Sequence, residues 1–270
     1  MTAPAGPRRE DGRHLFGRDA AGYASHRPPY PDALWPLIDA YRAASGRHFE
    51  IGPGTGLATG HLLAAGSQLT AIEPDPGLLA SLQLSFAPAL DNGQLQLLPN
   101  SFEAAADPAQ AFDAGHAATC FHWLEPSSAL PKVRGWLRPG GAWAMWWNVF
   151  GDPRQPDDFA LATAELFAPL APNPSRVAGL PFALDATRRI DELKAAGFVD
   201  IAYHALHWEW SQTTAQVVGL TATFSPVACL PDDRRQRFLD ALADRVERDF
   251  NGRVLRHFLT PLYLATAPHR

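Results

Sequence analysis

Cysteine is scarce in this sequence, and long apolar runs are missing from it. Only two of the 270 residues are cysteines, Cys120 and Cys229, and their separation matches no metal-binding spacing. A disulfide framework is therefore not expected, which is typical of a protein in the reducing cytoplasm. The first thirty residues contain no apolar stretch of the secretory type. No window approaches the roughly 20 apolar residues of a membrane helix, so we expect no membrane partner.

Basic side chains are outnumbered as well. Lysine and arginine total 23 against 28 aspartates and glutamates, which gives a net charge of −5 and leaves no basic stripe for nucleic acid. Hydrophobic residues make up 46% and charged residues 19%, as in a globular chain with one large α/β domain or a domain with a lid. His204 and His207 would point to opposite faces of a predicted strand, so we expect no metal site there.

Short apolar runs alternate with helical patterns along the chain. A helical pattern follows Pro31 and ends at Gly46. The strands predicted next cover residues 48–51, 69–72, 95–98, 112–120 and 142–148, with helices at 55–65, 77–86 and 127–137 between them. Further helices are predicted at 158–170, 188–196, 213–224 and 232–249, and strands at 198–210 and 253–267. This order predicts a Rossmann-like α/β fold: a seven-stranded, mostly parallel sheet with helices on both faces and an antiparallel C-terminal hairpin.

The same pattern suggests how the chain is organised. Residues 1–30 form an N-terminal segment that leads into a cofactor-binding core at 31–150. Residues 151–187 carry six prolines and few strand-like runs, so we expect a lid insertion there. Residues 188–270 would complete the core, with a second, helical lid element at 213–224.

The strongest single signal is a glycine-rich turn after the first predicted strand. Glu50 and Ile51 lead into Gly52-Pro53-Gly54-Thr55-Gly56, and a helix follows. A nucleotide cofactor can approach a backbone without Cβ atoms and meet the N–H groups at a helix start. Dinucleotide sites require a third glycine three residues after the second, but Leu57 and Thr59 occupy the two possible positions. The carboxylate of Glu50 instead suits the positive methionine end of a sulfonium cofactor.

A second carboxylate follows the second predicted strand, where the ribose of a nucleotide would lie. It is Glu73, in the run Ile72-Glu73-Pro74-Asp75. Glu73 would accept hydrogen bonds from both ribose hydroxyls. The alternative is that it only caps the helix that follows.

Taken together, the motifs resemble those of the class I S-adenosylmethionine-dependent methyltransferases of the type 11 group, and most closely its trans-aconitate-methyltransferase-like branch. The resemblance covers nearly the whole chain. The segments that carry it are Phe16 to Pro31, Phe49–Gly56, Ile72–Pro74, Ser101–Glu103, Thr119–Pro126, Leu137–Gly141, Trp147–Asn148 and Phe224–Ser225.

The resemblance implies S-adenosylmethionine as cofactor and assigns roles around it. Gly52, Pro53, Gly54 and Gly56 would contact the methionine part and the sugar, with Glu73 and Pro74 at the ribose. Many relatives have Asp where Ser101 stands. The further cofactor contacts that it implies are Ser101 and the Phe102 backbone at the adenine, Cys120 and Phe121 near the methionine end, and Tyr23 and Arg27 over the cofactor, Arg27 pairing with its carboxylate.

The acceptor side offers one candidate base. His122 directly follows the fourth predicted strand, and histidine is the side chain whose unperturbed pKa lies near neutrality, although the residue equally suits packing beside Trp123. Trp123, Trp147, Asn148 and Phe224 would line an acceptor pocket, with core packing as the alternative for the tryptophans. Apolar residues in the predicted lid favour a small-molecule methyl acceptor over a protein or a nucleic acid.

Three rival functions stay open at this point. The first is a cofactor-binding enzyme of the same fold that catalyses a rearrangement or a decarboxylation instead of methyl transfer. The second is an NAD-dependent oxidoreductase, against which the missing third glycine argues. The third is a regulatory binding module. The methylated atom, the acceptor and the oligomeric state do not follow from the sequence.

Overall fold

The structure is a computed structural model that describes residue 22 and residues 25–41, 45–170, 176–177 and 180–269. The helices are α1 Leu34–Tyr41, α2 Leu57–Ala64, α3 Pro76–Ser85, α4 Ala87–Asp91, α5 Pro126–Trp136, α6 Asp158–Phe167, α7 Ala186–Ala195, α8 Thr214–Ala222, α9 Ser225–Ala228 and α10 Asp232–Phe250. The strands are β1 Arg47–Ile51, β2 Gln68–Ile72, β3 Leu95–Leu98, β4 Phe112–Ala118, β5 Leu137–Trp146, β6 Arg176–Val177, β7 Leu180–Pro181, β8 Val199–Thr213 and β9 Arg253–Thr266. Among these residues, none of the helices has both the length and the apolar character that crossing a bilayer requires.

Contacts divide the chain into two compact units. The sheet unit comprises residues 29–148, 183–206 and 260–270. The helical unit comprises the described residues within the ranges 1–28, 149–182 and 207–259. Strands β8 and β9 contribute residues to both. The predicted boundaries at residues 30, 150 and 187 are not tested by this division and stay predictions.

Seven strands form one sheet in the order β3-β2-β1-β4-β5-β9-β8. Strands β1 to β5 pair in parallel, and β9 pairs antiparallel to β5. The Rossmann-like, mostly parallel sheet predicted from the alternation is therefore confirmed. The chain order reverses at β1 and β4, and in open α/β sheets ligands bind at the carboxyl ends of the strands at such a reversal.

Several element boundaries differ from the predicted ones. β5 begins at Leu137, before the Pro-Gly-Gly run, because a bulge shifts its register against β4 between Phe112 and Ala114. β4 ends at Ala118 because the next residue has a positive φ. The helix predicted at 213–224 corresponds to α8, which ends at Ala222, and the short helix α9 follows outside the predicted range. β8 and β9 are neighbours in the sheet, but α8, α9 and α10 connect them instead of a short hairpin loop.

Aromatic residues fill the core beside β1 and β4. Phe49 of β1 contacts the Trp136 ring at a centroid distance of 5.2 Å and the Trp143 ring at 6.1 Å. A Cβ at Gly115 would lie 2.3 Å from the Phe49 ring, so the small residues of β4 make room for this side chain. Close packing at this point fixes the two strands whose ends carry the candidate site.

The helical unit has its own core. Phe159, Val217, Leu242 and Val246 pack together with Val254. A second feature of this unit is a buried ion pair. The Nε of Arg256 donates to the Asp157 carboxylate at 2.8 Å, while Asp157 also caps α6 by accepting from the backbone N–H of Ala160. The Arg256 guanidinium lowers the pKa of Asp157, against the effect of its burial.

Candidate functional site

The glycine-rich turn follows β1 and has the backbone geometry that the sequence predicts. Gly52, Gly54 and Gly56 have φ angles of 58°, 60° and 90°, a region that residues with a Cβ rarely adopt. A Cβ at Gly56 would lie 2.3 Å from the Phe86 ring, whereas a Cβ at Gly54 would have no atom within 4 Å. The turn is therefore packed on one side and leaves open space at Gly54.

Glu50, the last but one residue of β1, lies beneath this turn and is fully buried. Its Oε2 accepts a 2.7 Å hydrogen bond from the Thr59 hydroxyl on α2. Its Oε1 has no hydrogen-bond partner among the described residues. Burial, opposed by the Thr59 hydrogen bond and reinforced by the nearby charge of Glu73, raises the pKa of Glu50 to about 7.

Glu73 follows β2 and faces the same turn. Its two oxygens accept hydrogen bonds from the backbone N–H groups of Gly54, at 3.2 Å, and Asp75, at 3.0 Å. Burial raises the pKa of Glu73 to about 7, although both backbone hydrogen bonds lower it. Asp75, and not Glu73, caps α3, since its Oδ1 accepts from the backbone N–H groups of Gly77 and Leu78. The capping alternative for Glu73 is therefore wrong.

The residues after β3 take separate positions. Ser101 is half-buried, and its Oγ accepts a 3.3 Å hydrogen bond from the Ala104 backbone N–H. The Phe102 ring is buried in the core, 5.0 Å from the Trp136 ring. The resemblance implies a contact through the Phe102 backbone, which the burial of its ring does not contradict. Contact of either residue with adenine stays a prediction. The resemblance also implies that two prolines contact the cofactor. Of these, Pro53 is buried and Pro74 is half-buried.

The chain leaves β4 through a strained residue. Thr119 has φ 63°, which is unfavourable for a β-branched side chain. Its hydroxyl lies 2.9 Å from the Tyr30 hydroxyl, and its backbone N–H donates to the Trp146 carbonyl at 2.7 Å. Cys120 then turns back towards β1, and its thiol donates to the Ile51 carbonyl at 2.7 Å. A Cβ at Gly52 would lie 2.8 Å from the Cys120 Cβ, so Cys120 packs directly on the glycine-rich turn.

A short 3-10 helix, Phe121–Trp123, follows. The Phe121 side chain is buried, 5.6 Å from the Trp143 ring, and belongs to the core. His122 is 8% exposed, and its ring stacks at a tilt on Trp123 at 4.7 Å. His122 Nδ1 accepts a 3.2 Å hydrogen bond from the indole N–H of Trp147, the first residue after β5. The exits of β4 and β5 are thus joined by a histidine–tryptophan pair.

Asn148, the next residue, is held by both ends of its amide group. Its Nδ2 donates to the Pro29 carbonyl at 3.2 Å, and its Oδ1 accepts from the Thr260 hydroxyl at 2.7 Å. Asn148 therefore joins β5 to the segment before α1 and to β9. This role suits a structural residue as well as a pocket residue, so the predicted acceptor contact stays a prediction.

Two predicted residues belong to the helical unit, and one lies outside the described residues. Arg27 donates to the Thr223 carbonyl at 3.3 Å, and its guanidinium lies 5.2 Å and 5.8 Å from the ring centroids of Phe150 and Phe224. Phe150 and Phe224 stack at 5.6 Å. Contact of Arg27 with a cofactor stays a prediction. Tyr23 lies outside the described residues.

Three polar residues of the site do not stand out in the sequence. Thr59 holds Glu50, Tyr30 holds Thr119, and Thr260 holds Asn148. Each hydroxyl bonds to a residue of another segment, 9, 89 and 112 positions away respectively, and no motif spacing predicts these pairs. Asp75 differs from these three residues, because its place directly before Pro76 is a recognisable helix-cap signal in the sequence. Within the described ranges, His, Cys, Asp and Glu residues form no group of three or more that suits a metal ion.

Comparison with known proteins finds a family match for part of the chain. Residues 49–143 match the family model described as Methyltransferase domain. An uncharacterized methyltransferase of Mycobacterium tuberculosis is 33% identical over 142 residues, which are 52% of this chain and 55% of that protein. The chain thus spans about half the length of the curated relatives it matches.

Two solved structures of low identity share the fold. Phosphoethanolamine N-methyltransferase 2 of Haemonchus contortus, in complex with phosphomonomethylethanolamine and S-adenosylhomocysteine, aligns with a TM-score of 0.61 at 12% identity, over 96% of this chain and 60% of that one. The [4+2]-cyclase SpnF aligns with a TM-score of 0.60 at 17% identity over 100% of both chains. The glycine-rich turn, its two buried carboxyl groups and the exit of β4 therefore lie on a Rossmann-like fold whose residues 49–143 match a methyltransferase domain.

Proposed function

We propose that this protein is an S-adenosylmethionine-dependent methyltransferase that acts on a small molecule. The observation that carries the proposal is the arrangement at the carboxyl ends of β1 and β2. There a glycine-rich turn lies between two buried carboxyl groups, Glu50 and Glu73. The methyltransferase-domain match over residues 49–143 and the S-adenosylhomocysteine bound by the Haemonchus enzyme support the same cofactor.

The residues present fit that cofactor in three respects. The open space at Gly54 would accept the sugar next to the backbone. The Glu73 carboxylate would accept hydrogen bonds from the ribose hydroxyls. The buried Oε1 of Glu50 is an acceptor with no partner among the described residues, and the methionine ammonium group is a donor of opposite charge. When bound, the sulfonium supplies an electrophilic methyl group, and the protein holds both reactants in place and excludes water.

The acceptor is proposed from the residues after β4 and β5. His122, Trp123 and Trp147 form a largely aromatic cluster in which Trp123 is half-buried and the other two are buried, and such a cluster suits an organic small molecule. The trans-aconitate-methyltransferase-like resemblance favours a carboxylate acceptor, with a natural-product hydroxyl as the other option. The small number of cysteines favours a cytoplasmic location.

One rival function has a specific observation in its favour. SpnF, named as a [4+2]-cyclase, shares the fold over its full length, so the fold alone does not decide between methyl transfer and another reaction. The NAD-dependent alternative has no such support. The absence of the third glycine argues against it.

Transfer of labelled methyl groups tests the proposal. The protein is incubated with methyl-labelled S-adenosylmethionine and a panel of small carboxylic acids, phenols, alcohols and amines. We expect one acceptor class to gain label while S-adenosylhomocysteine accumulates, and we expect Glu73→Ala to abolish the transfer. Glu165→Ala, which removes an exposed glutamate from α6, serves as the control and should keep it. Tight cofactor binding with no transfer to any acceptor would favour the rival reaction instead.

A further inference from the structure

The hydrogen bond between the Trp147 indole and the His122 ring bears on the protonation of the histidine as well as on its position. His122 follows β4 and Trp147 follows β5, and these strands are parallel neighbours, so the two side chains meet at the same edge of the sheet. Both are buried, at 8% and 4% exposed. The Trp147 Nε1 donates to the His122 Nδ1 at 3.2 Å. The indole is itself held, since its ring meets the Tyr263 ring edge-on and its backbone N–H donates to the Pro261 carbonyl.

An indole nitrogen can only donate a hydrogen bond, because its lone pair belongs to the ring. The His122 nitrogen that faces it must therefore carry a lone pair and no proton. In a neutral imidazole the single proton is then on the other nitrogen, Nε2. A second proton on Nδ1 would place two N–H groups against each other in a buried position, which costs the hydrogen bond and leaves a donor unsatisfied.

We propose that Trp147 is a positioning residue that holds His122 as the Nε2–H tautomer, so that His122 donates a hydrogen bond to the methyl acceptor and does not act as its general base. The inference rests on the proposed function and reverses the role that the sequence suggests for His122. The bond to the methyl carbon forms from the acceptor's own lone pair, while the electrons of the C–S bond return to sulfur. An acceptor that carries a proton loses it to the solvent before it binds or after the product leaves, and not to His122.

Nitrogen-15 NMR tests the tautomer without any acceptor. In long-range proton–nitrogen spectra of uniformly labelled wild-type protein, His122 is identified by the signals that His122→Gln removes. We expect the pattern of a bare Nδ1 and a protonated Nε2. We expect Trp147→Phe, which keeps an aromatic side chain but removes the indole N–H, to change the signal of Nδ1 and to average the tautomers. Trp143→Phe, the same change at a buried β5 tryptophan whose indole N–H has no hydrogen-bond partner among the described residues, should leave the pattern as in wild type.

A protonated Nδ1 in wild type would overturn the proposal. So would a His122 pattern that is the same in Trp147→Phe as in wild type, because the indole would then have no part in fixing the tautomer. Failure of the proposed methyl transfer leaves this measurement intact, since it reports on the protein alone.

Kinetics separate a donor from a base once an acceptor is found. Glutamine carries an amide N–H₂ near the position of Nε2 but cannot take up a proton near neutral pH. We expect His122→Gln to keep the methyl-transfer rate within about fivefold of wild type, whereas His122→Leu should lose about 10- to 100-fold, the value of a hydrogen bond to a polar or charged group. If glutamine is as inactive as leucine, His122 acts as a base and the proposal is wrong.

Discussion

Cofactor affinity should depend strongly on pH, because two carboxyl groups at the proposed site titrate near neutrality. The pKa of Glu50 and the pKa of Glu73 are both raised to about 7, chiefly by burial. Ribose hydroxyls and an ammonium group donate hydrogen bonds, so they bind the ionised carboxylates better than the protonated acids. Binding should therefore tighten as pH rises through 7 and level off above it.

The size of the effect follows from the fraction of each group that is ionised. A carboxyl group of pKa about 7 is roughly 10% ionised at pH 6 and roughly 90% at pH 8, which is about a ninefold change. Two independent groups would give about 80-fold. Because the charge of Glu73 raises the pKa of Glu50, the pair titrates as a coupled unit, and the expected gain lies between about 10- and 80-fold.

Calorimetric titration with S-adenosylhomocysteine at pH 6, 7 and 8 measures this gain. Glu50→Gln keeps an acceptor for the Thr59 hydroxyl but removes one titrating group, so its affinity should change less steeply with pH. Glu165→Gln, at an exposed position of α6, is the control and should follow wild type. Equal dissociation constants at pH 6 and pH 8, or equal slopes for wild type and Glu50→Gln, would refute the reasoning.

Three further predictions concern stability. First, the two buried glutamates hold their protons up to about pH 7 in the folded state but only up to about 4.5 in the unfolded state. The free energy of unfolding should therefore fall as pH rises between these values, which urea melts measure. A constant or rising free energy of unfolding would contradict the assignment. Second, Gly54→Ala and Gly66→Ala both place a Cβ in open space at positive φ, so each should lower the free energy of unfolding by about 1 kcal/mol. Only Gly54→Ala should also weaken cofactor binding, which calorimetric titration measures. Third, Asp157→Ala leaves the buried Arg256 charge without its carboxylate partner and should lower the free energy of unfolding by about 3–5 kcal/mol in a denaturant melt. The control Asp152→Ala, whose Arg154 partner is exposed, should lower it by less than about 1 kcal/mol. Similar losses for the two variants would disprove a structural role for the buried pair.

The sequence predicts the sheet and the carboxyl-end turn because both depend on local patterns. Alternating apolar runs and helices force a parallel sheet, and the glycines at Gly52, Gly54 and Gly56 mark a turn in which three alternate residues have positive φ. Glu73 is predictable from its place after β2. The turn and the two carboxyl groups then lie together because parallel strands end at the same edge.

Contacts between distant residues account for what the sequence does not predict. Nothing local marks Thr119 for a positive φ, since Tyr30 and the Trp146 carbonyl hold it from other elements. The same holds for the indole of Trp147, which decides which nitrogen of His122 is protonated. A histidine after a strand suggests a base by its type alone, and only the geometry shows a donor facing it.

Cofactor choice is the central claim, and calorimetric titration at pH 8 with S-adenosylhomocysteine and, separately, with NADH tests it most directly. The account predicts micromolar, one-to-one binding of S-adenosylhomocysteine that Glu73→Ala weakens greatly, and no binding of NADH. A folded wild-type protein that binds NADH but not S-adenosylhomocysteine would contradict the account, and so would S-adenosylhomocysteine binding that is unchanged in Glu73→Ala.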